Sequence, residues 1–180
     1  MSIWARMLRR MFAASELPAG FAGVLEPSER IVATAGLAGG GHLVLTQLGL
    51  WVPEGVVARR VGWHLVSKAV WDRDALLITE SVAVGTAGDA VLLGDLPPRR
   101  FVLTEPGRVP EVVRARVTTS IRSSQYYELP GGGAWFVQRK IPGQDGVTLQ
   151  VRADPDTSAQ ALYQVAREVA ARLVKLAASR

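Results

Sequence analysis

The chain has 180 residues, 48% of them hydrophobic and 21% charged, which fits one folded domain and excludes wholesale disorder. It has no cysteine, so disulfides, thiolate chemistry and Cys-ligated zinc are excluded. Twenty-one Lys and Arg against 16 Asp and Glu leave a net charge of +5. That balance favours acidic partners modestly, and it also suits a solvated surface slightly richer in arginine than in acid.

Residues 1–15, MSIWARMLRRMFAAS, predict a short basic amphipathic helix. Ile3, Trp4, Met7, Leu8, Met11 and Phe12 fall on one helical face, and Arg6, Arg9 and Arg10 point elsewhere. Pro18 and Gly20 break the pattern, and residues 16–28 read as a linker into a main domain over 29–180. Short strands with turns follow. Ile31–Ala35 is the first; Gly39–Gly41 turns into His42–Val52, read as one strand bent at Gly49. Val56–Trp63, Leu65–Trp71 and Ala75–Glu80 come next, separated by Pro53–Gly55 and Asp72–Asp74. Residues 81–111 are punctuated by Gly and Pro and predict an elaborated connection holding two short strands, Ala90–Leu93 and Arg100–Thr104.

Val112–Leu129 reads as one long strand bent near Ser123–Ser124. Pro130–Gly133 is a hairpin turn, after which Trp135, Val137, Arg139 and Ile141 alternate with Phe136, Gln138 and Lys140. Val147, Leu149 and Val151 alternate with Thr148, Gln150 and Arg152, the pattern of a half-buried strand. A helix over about 155–178 closes the chain, with Asp154 as N-cap and Pro155 at its first position. Its apolar stripe is Leu162, Val165, Val169, Leu173 and Leu176, which must bury against the sheet.

The expected fold class is therefore mainly β (α+β). About seven antiparallel strands followed by one C-terminal amphipathic helix resemble the bacterial pleckstrin-homology-like (PH-like) barrel. The stretch ERIVATA, HLVLTQLGLWVPE, ARRVGWHLVSKAVWDRDALLIT carries the resemblance, through Thr46, Leu50, Arg60, Trp63 and Trp71. The richness in Ala, Val, Gly and Arg is also similar to actinobacterial-type proteins. What the PH-like resemblance implies is a binding scaffold whose barrel end and loops take lipid heads, peptides or proteins; the fold does not fix which.

Residue chemistry points the same way. His42 and His64 are the only histidines, and no G-x-S-x-G elbow surrounds a serine, so no catalytic residue is assigned. The glycine-rich Ala38–Gly41 lacks the Gly-Lys-Ser/Thr ending of a phosphate loop and enters a strand. Asp72, Asp74 and Asp145 lack the ligand ladder of a calcium loop, so no metal or cofactor is expected. Tyr126–Tyr127 alone does not make a nucleic-acid reader. If Arg59–Arg60 and Arg139–Lys140 converged at one barrel end they would cradle an anion, although neighbours in a strand face opposite ways. The N-terminal face, with Trp4 and Phe12 as anchors and Arg6, Arg9 and Arg10 for phosphates, suits a membrane surface or a partner. Packing on its own barrel or across a homodimer is the reading favoured over these, since apolar stripes usually end in a core.

The resulting expectation is a non-enzymatic binding or scaffold domain engaging a protein partner or itself, with no small-molecule substrate. The alternative is a peripheral adaptor on anionic membrane. With no secretory signal and no apolar run of about 20 residues, the expected location is cytoplasmic, with attachment at the inner membrane face open.

Overall fold

The structure, a computed structural model, describes residues 16–179; the amphipathic segment 1–15 lies outside the described residues. The chain is mainly β. A four-stranded antiparallel meander comes first: β1 (Ile31–Gly36), β2 (His42–Thr46), β3 (Gly49–Glu54) and β4 (Val57–Gly62). A 3-10 turn over Trp63–Leu65 leads into β5 (Val66–Asp72), then β6 (Ala75–Ala87), β7 (Ala90–Asp95) and β8 (Arg99–Val102). Helix α1 (Val109–Ser120) is followed by β9 (Ile121–Leu129), β10 (Gly132–Arg139), β11 (Thr148–Ala153) and helix α2 (Ala159–Ala178). The second sheet runs β5-β6-β7-β11-β10-β9, with β8 also paired to β6.

Strand β6 joins two halves. Its first part, Ala75–Ile78, lies between β5 and β8, and its second part pairs with β7. The first core is enclosed by the meander, β5, β6, β8 and α1, and contains Leu43, Leu45, Leu50, Trp63 and Val113 among its buried members. A bridge between Leu37 and Leu103 joins the edge beyond β1 to that beyond β8. The second core lies between α2 and the sheet, with Ala87, Ala90, Ala134, Phe136 and Val151 facing Ala166 and Ala170.

Several expectations are corrected. There are eleven strands rather than about seven among the described residues, and β7 pairs with β11 in parallel. A parallel pair needs a long crossover, which everything from β8 to β10 supplies. His42–Val52 is a hairpin rather than one bent strand. The Thr46 hydroxyl accepts from the backbone N–H of Leu48 and Gly49, each at 3.2 Å, which closes a tight turn. Residues 81–111 hold the second half of β6, which passes Gly85 with only a bulge. Val112–Leu129 is not one strand, because its first part is α1. Pro110 opens that helix, and Val109, Val112 and Val113 are buried at i, i+3 and i+4. Core burial of this stripe outweighs the strand preference of valine and threonine.

Helix α2 is capped by Ser158, whose Oγ accepts from Ala161 N–H, not by Asp154. Residues 154–158 are instead tied to the β9–β10 turn. Ser158 N–H donates to the Pro130 carbonyl at 2.8 Å, and the Thr157 hydroxyl donates to the Gly133 carbonyl at 2.8 Å. Leu162, Val165, Val169 and Leu173 pack on the sheet as expected, but Leu176 is 56% exposed. The helix runs on past the residues that cover it. Gly131 has φ +85°, and a Cβ there would collide with the Asp156 carbonyl. Gly131→Ala should therefore lower the unfolding free energy by about 1 to 2 kcal/mol in a urea titration.

The segment 16–28, read as a linker, is docked on the meander. Phe21 meets Trp51 edge-on with ring centres 5.6 Å apart, and Ala58 N–H donates to the Ala22 carbonyl at 3.1 Å. No helix among the described residues is long and apolar enough to cross a membrane.

Candidate functional site

The Pro130–Gly131 turn fixes the register of β9 on β10, setting Tyr126 opposite Trp135 and Tyr127 opposite Ala134. Alternation then gives the hairpin two different faces. On the α2 side, Tyr127 packs on Phe136 with ring centres 4.6 Å apart. On the other side, the Tyr126 and Trp135 rings pack in a tilted arrangement with centres 5.3 Å apart and stay 40% and 47% exposed. The Tyr126 hydroxyl donates to Asp154 Oδ2 at 2.6 Å, which holds the ring in place. That bond raises the phenol above its ordinary value, since ionisation would put two negative charges in contact.

Strand β9 ends the sheet and pairs only with β10 among the described residues. Seven of its nine residues are exposed and the other two half-buried, so alternate N–H and C=O groups along nine residues are open to a further strand. Both outer strands carry a bulge, β5 between Val66 and Lys68 and β9 at Arg122; β9 pairs regularly from Ser123 to Leu129, and β5 adds Lys68, a residue that discourages added strands.

The basic residues expected to gather round an anion have other tasks. Arg59 grips Glu80 through both terminal nitrogens at 2.7 and 2.8 Å, and its Nε donates to Glu54. The Glu80 bonds foremost raise its guanidinium above the usual value. Arg60 donates to Glu29 at 2.8 Å and to Glu26 at 2.6 Å. Arg139 is buried, and its Nη1 donates to the carbonyls of Trp63 and Val66 at 3.1 Å each. Burial first, then the charge of Arg152, pushes Arg139 down to about 10, so it remains charged at neutral pH.

Lys140 alone of the four is exposed. It borders a cleft of about 350 Å³ with Arg116, Ser120 and Gln144. No shared cradle forms from Arg59, Arg60, Arg139 and Lys140, because three of them are committed to carboxylates or buried carbonyls. Trp4, Arg6, Arg9, Arg10 and Phe12 lie outside the described residues.

Among the described residues no side chain hydrogen-bonds either histidine ring. Burial and then the charge of Arg139 hold His64 below its ordinary value, so it is neutral at pH 7. Among the described residues the tryptophans divide evenly. Trp51 and Trp63 are buried, whereas Trp71 and Trp135 are exposed. The exposed Tyr126–Trp135 pair was missed by sequence reasoning, although the hairpin turn at 130–133 carried its register. The chain matches no family model, no curated protein and no solved structure.

Proposed function

We propose that this chain is a non-enzymatic binding domain of PH-like architecture that engages protein through the open edge β9. The PH-like reading is supported by the unit over residues 29–120. There the four-stranded meander and the triplet β5, β6 and β8 make seven strands followed by one closing helix, α1. On this reading α1 takes the part expected of the C-terminal helix, and β7, β9–β11 and α2 form an extension of the barrel. Protein binding rests on one observation above the others: a nine-residue edge strand flanked by an exposed Tyr–Trp pair. Strand addition takes its affinity from main-chain hydrogen bonds, and aromatic residues are the side chains most enriched at contact centres.

The test is a photo-reactive residue at Ser124 on β9, with a control at Val56, which is 93% exposed in the β3–β4 turn. In cells, Ser124 should cross-link to protein, either another copy or a different chain, and Val56 should not. Equal products from both positions would sink the reading.

A second reading is favoured by the pattern in residues 1–15, where six apolar residues share a helical face and three arginines lie off it. Binding to anionic vesicles that weakens with salt, and disappears on removing residues 1–15, would make the chain a peripheral membrane adaptor. Equal sedimentation of both forms with neutral and anionic vesicles would exclude that.

A further inference from the structure

From the edge strand we infer that the protein engaged by β9 is a second copy of the same chain, paired antiparallel about a two-fold axis at Gln125. The inference rests on the reading of β9 as a contact edge and goes further by naming its occupant. Strand β9 reads I-R-S-S-Q-Y-Y-E-L, and Gln125 is its middle residue.

Antiparallel self-pairing about Gln125 makes each residue face the one equally far on the other side. Arg122 then faces Glu128 of the second copy, and Glu128 faces its Arg122. Ile121 faces Leu129, and Ser124 faces Tyr126. Opposite charges meet twice and apolar ends meet twice, with no like-charge pair anywhere in the register. Directly opposed residues in an antiparallel ladder are the pairs whose side chains interact. A two-fold contact must be complementary to itself, and this register is.

The side chains are free to do this. Arg122 and Glu128 are exposed, and neither forms an ion pair among the described residues. Glu128 lies on the same face as Tyr126, two residues away, and Arg122 stands at the bulge where Ile121 pairs with Arg139 and Ser123 with Gln138. The two Tyr126–Trp135 pairs would therefore line one side of the continuous sheet. On the other face, a shallow groove of about 180 Å³ runs over Gln125 between Tyr127 and Leu173. Pairing would join two such grooves and cover the apolar flank of α2 in each copy.

The test is the mass of the full chain by sedimentation velocity across concentration. The native chain should reach twice 19.3 kDa. Arg122→Glu alone, or Glu128→Arg alone, should weaken association about tenfold, since each puts like charges across the axis twice. The double swap Arg122→Glu with Glu128→Arg should restore it. No different partner would be regained by that compensation within one chain.

Because the chain has no cysteine, Gln125→Cys provides a single thiol on the axis, which should give a disulfide-linked dimer under mild oxidant. A mass of 19.3 kDa up to about 1 mM, with no Gln125→Cys dimer, overturns the inference. So does a dimer indifferent to both charge reversals. If the chain is monomeric while Ser124 still cross-links a different protein, self-pairing falls and the contact edge stands. If Ser124 cross-links nothing, both fall.

Discussion

Arg139→Ala should lower the unfolding free energy by about 3 to 5 kcal/mol and the melting temperature by roughly 10 °C. The reason lies in the 3-10 turn between β4 and β5. There the ladder is interrupted, and carbonyls that would pair with a strand need other donors. Arg139 reaches from β10 to the carbonyls of Trp63 and Val66, and Gln150 reaches from β11 to that of His64 at 2.9 Å. These side chains fasten the β9–β11 extension to the first core, next to Trp63, which is 1% exposed.

Truncation leaves the Val66 carbonyl without that donor and the Trp63 carbonyl with the Val66 N–H of the turn, and opens a void where the arginine stem lay. Arg139→Met separates these contributions. It refills the void and removes the cost of burying a charge near Arg152, so its penalty should be about half that of alanine. Urea titrations of the two variants give the comparison. A methionine variant as stable as the native chain would mean that the carbonyl bonds contribute nothing net.

The behaviour of β10 shows how far sequence pattern reaches and where it stops. Alternation correctly separated Trp135, Val137 and Arg139 from Phe136 and Gln138. Pattern could not reveal that this face changes surroundings along its length. At Trp135 it opens to solvent, and at Arg139 it is covered by the Trp63–Leu65 turn, so a tryptophan is exposed and an arginine buried on the same face.

Arg59 and Arg60 went astray for a related reason. Glu26 and Glu29 are 34 and 31 residues before Arg60, and Glu80 is 21 after Arg59. Only the folded chain brings these acids, two from the segment before β1 and one from β6, to the arginines of β4. Helix α1 was obscured by composition, because valine and threonine read as strand. Its 3.6-residue spacing through Val109, Val112, Val113 and Val117 was present beside Pro110. The β9 edge was hidden in the same error, since an edge strand cannot be recognised before its start is known. The body of α2 was legible, because it buries one face against a single partner layer; β11, expected to be half-buried, has Leu149, Gln150 and Val151 all buried, since Gln150 lies under the 3-10 turn and donates to the His64 carbonyl.

Glu29→Ala should lower stability by about 2 to 4 kcal/mol at pH 7, and the loss should shrink as the pH falls. The Glu29 side chain has no exposed surface. Its carboxylate accepts from the Thr46 hydroxyl at 2.5 Å, Trp51 Nε1 at 2.9 Å, Arg60 at 2.8 Å and Glu26 N–H at 3.2 Å. Burial by itself would raise its pKa, but the bonds from Thr46 and Trp51, with Glu26 N–H and the charge of Arg60, outweigh burial and hold it below the ordinary 4.5.

A carboxylate lowered in the folded state adds stability that is fully present above its unfolded value. That stability is lost as pH falls through the folded value. The native chain should therefore lose part of its advantage over Glu29→Ala below about pH 4.5, while the two curves stay parallel from pH 6 to 8. Arg60 is partly solvated and keeps Glu26, which is why the penalty falls short of that for a fully stranded buried charge. Glu29→Gln should recover part of the loss, since an amide oxygen can accept from Thr46 or Trp51 but offers Arg60 no charge. A gap between native and alanine variants that does not narrow below pH 4.5 would mean that Glu29 stabilises the meander by packing, not by its charge.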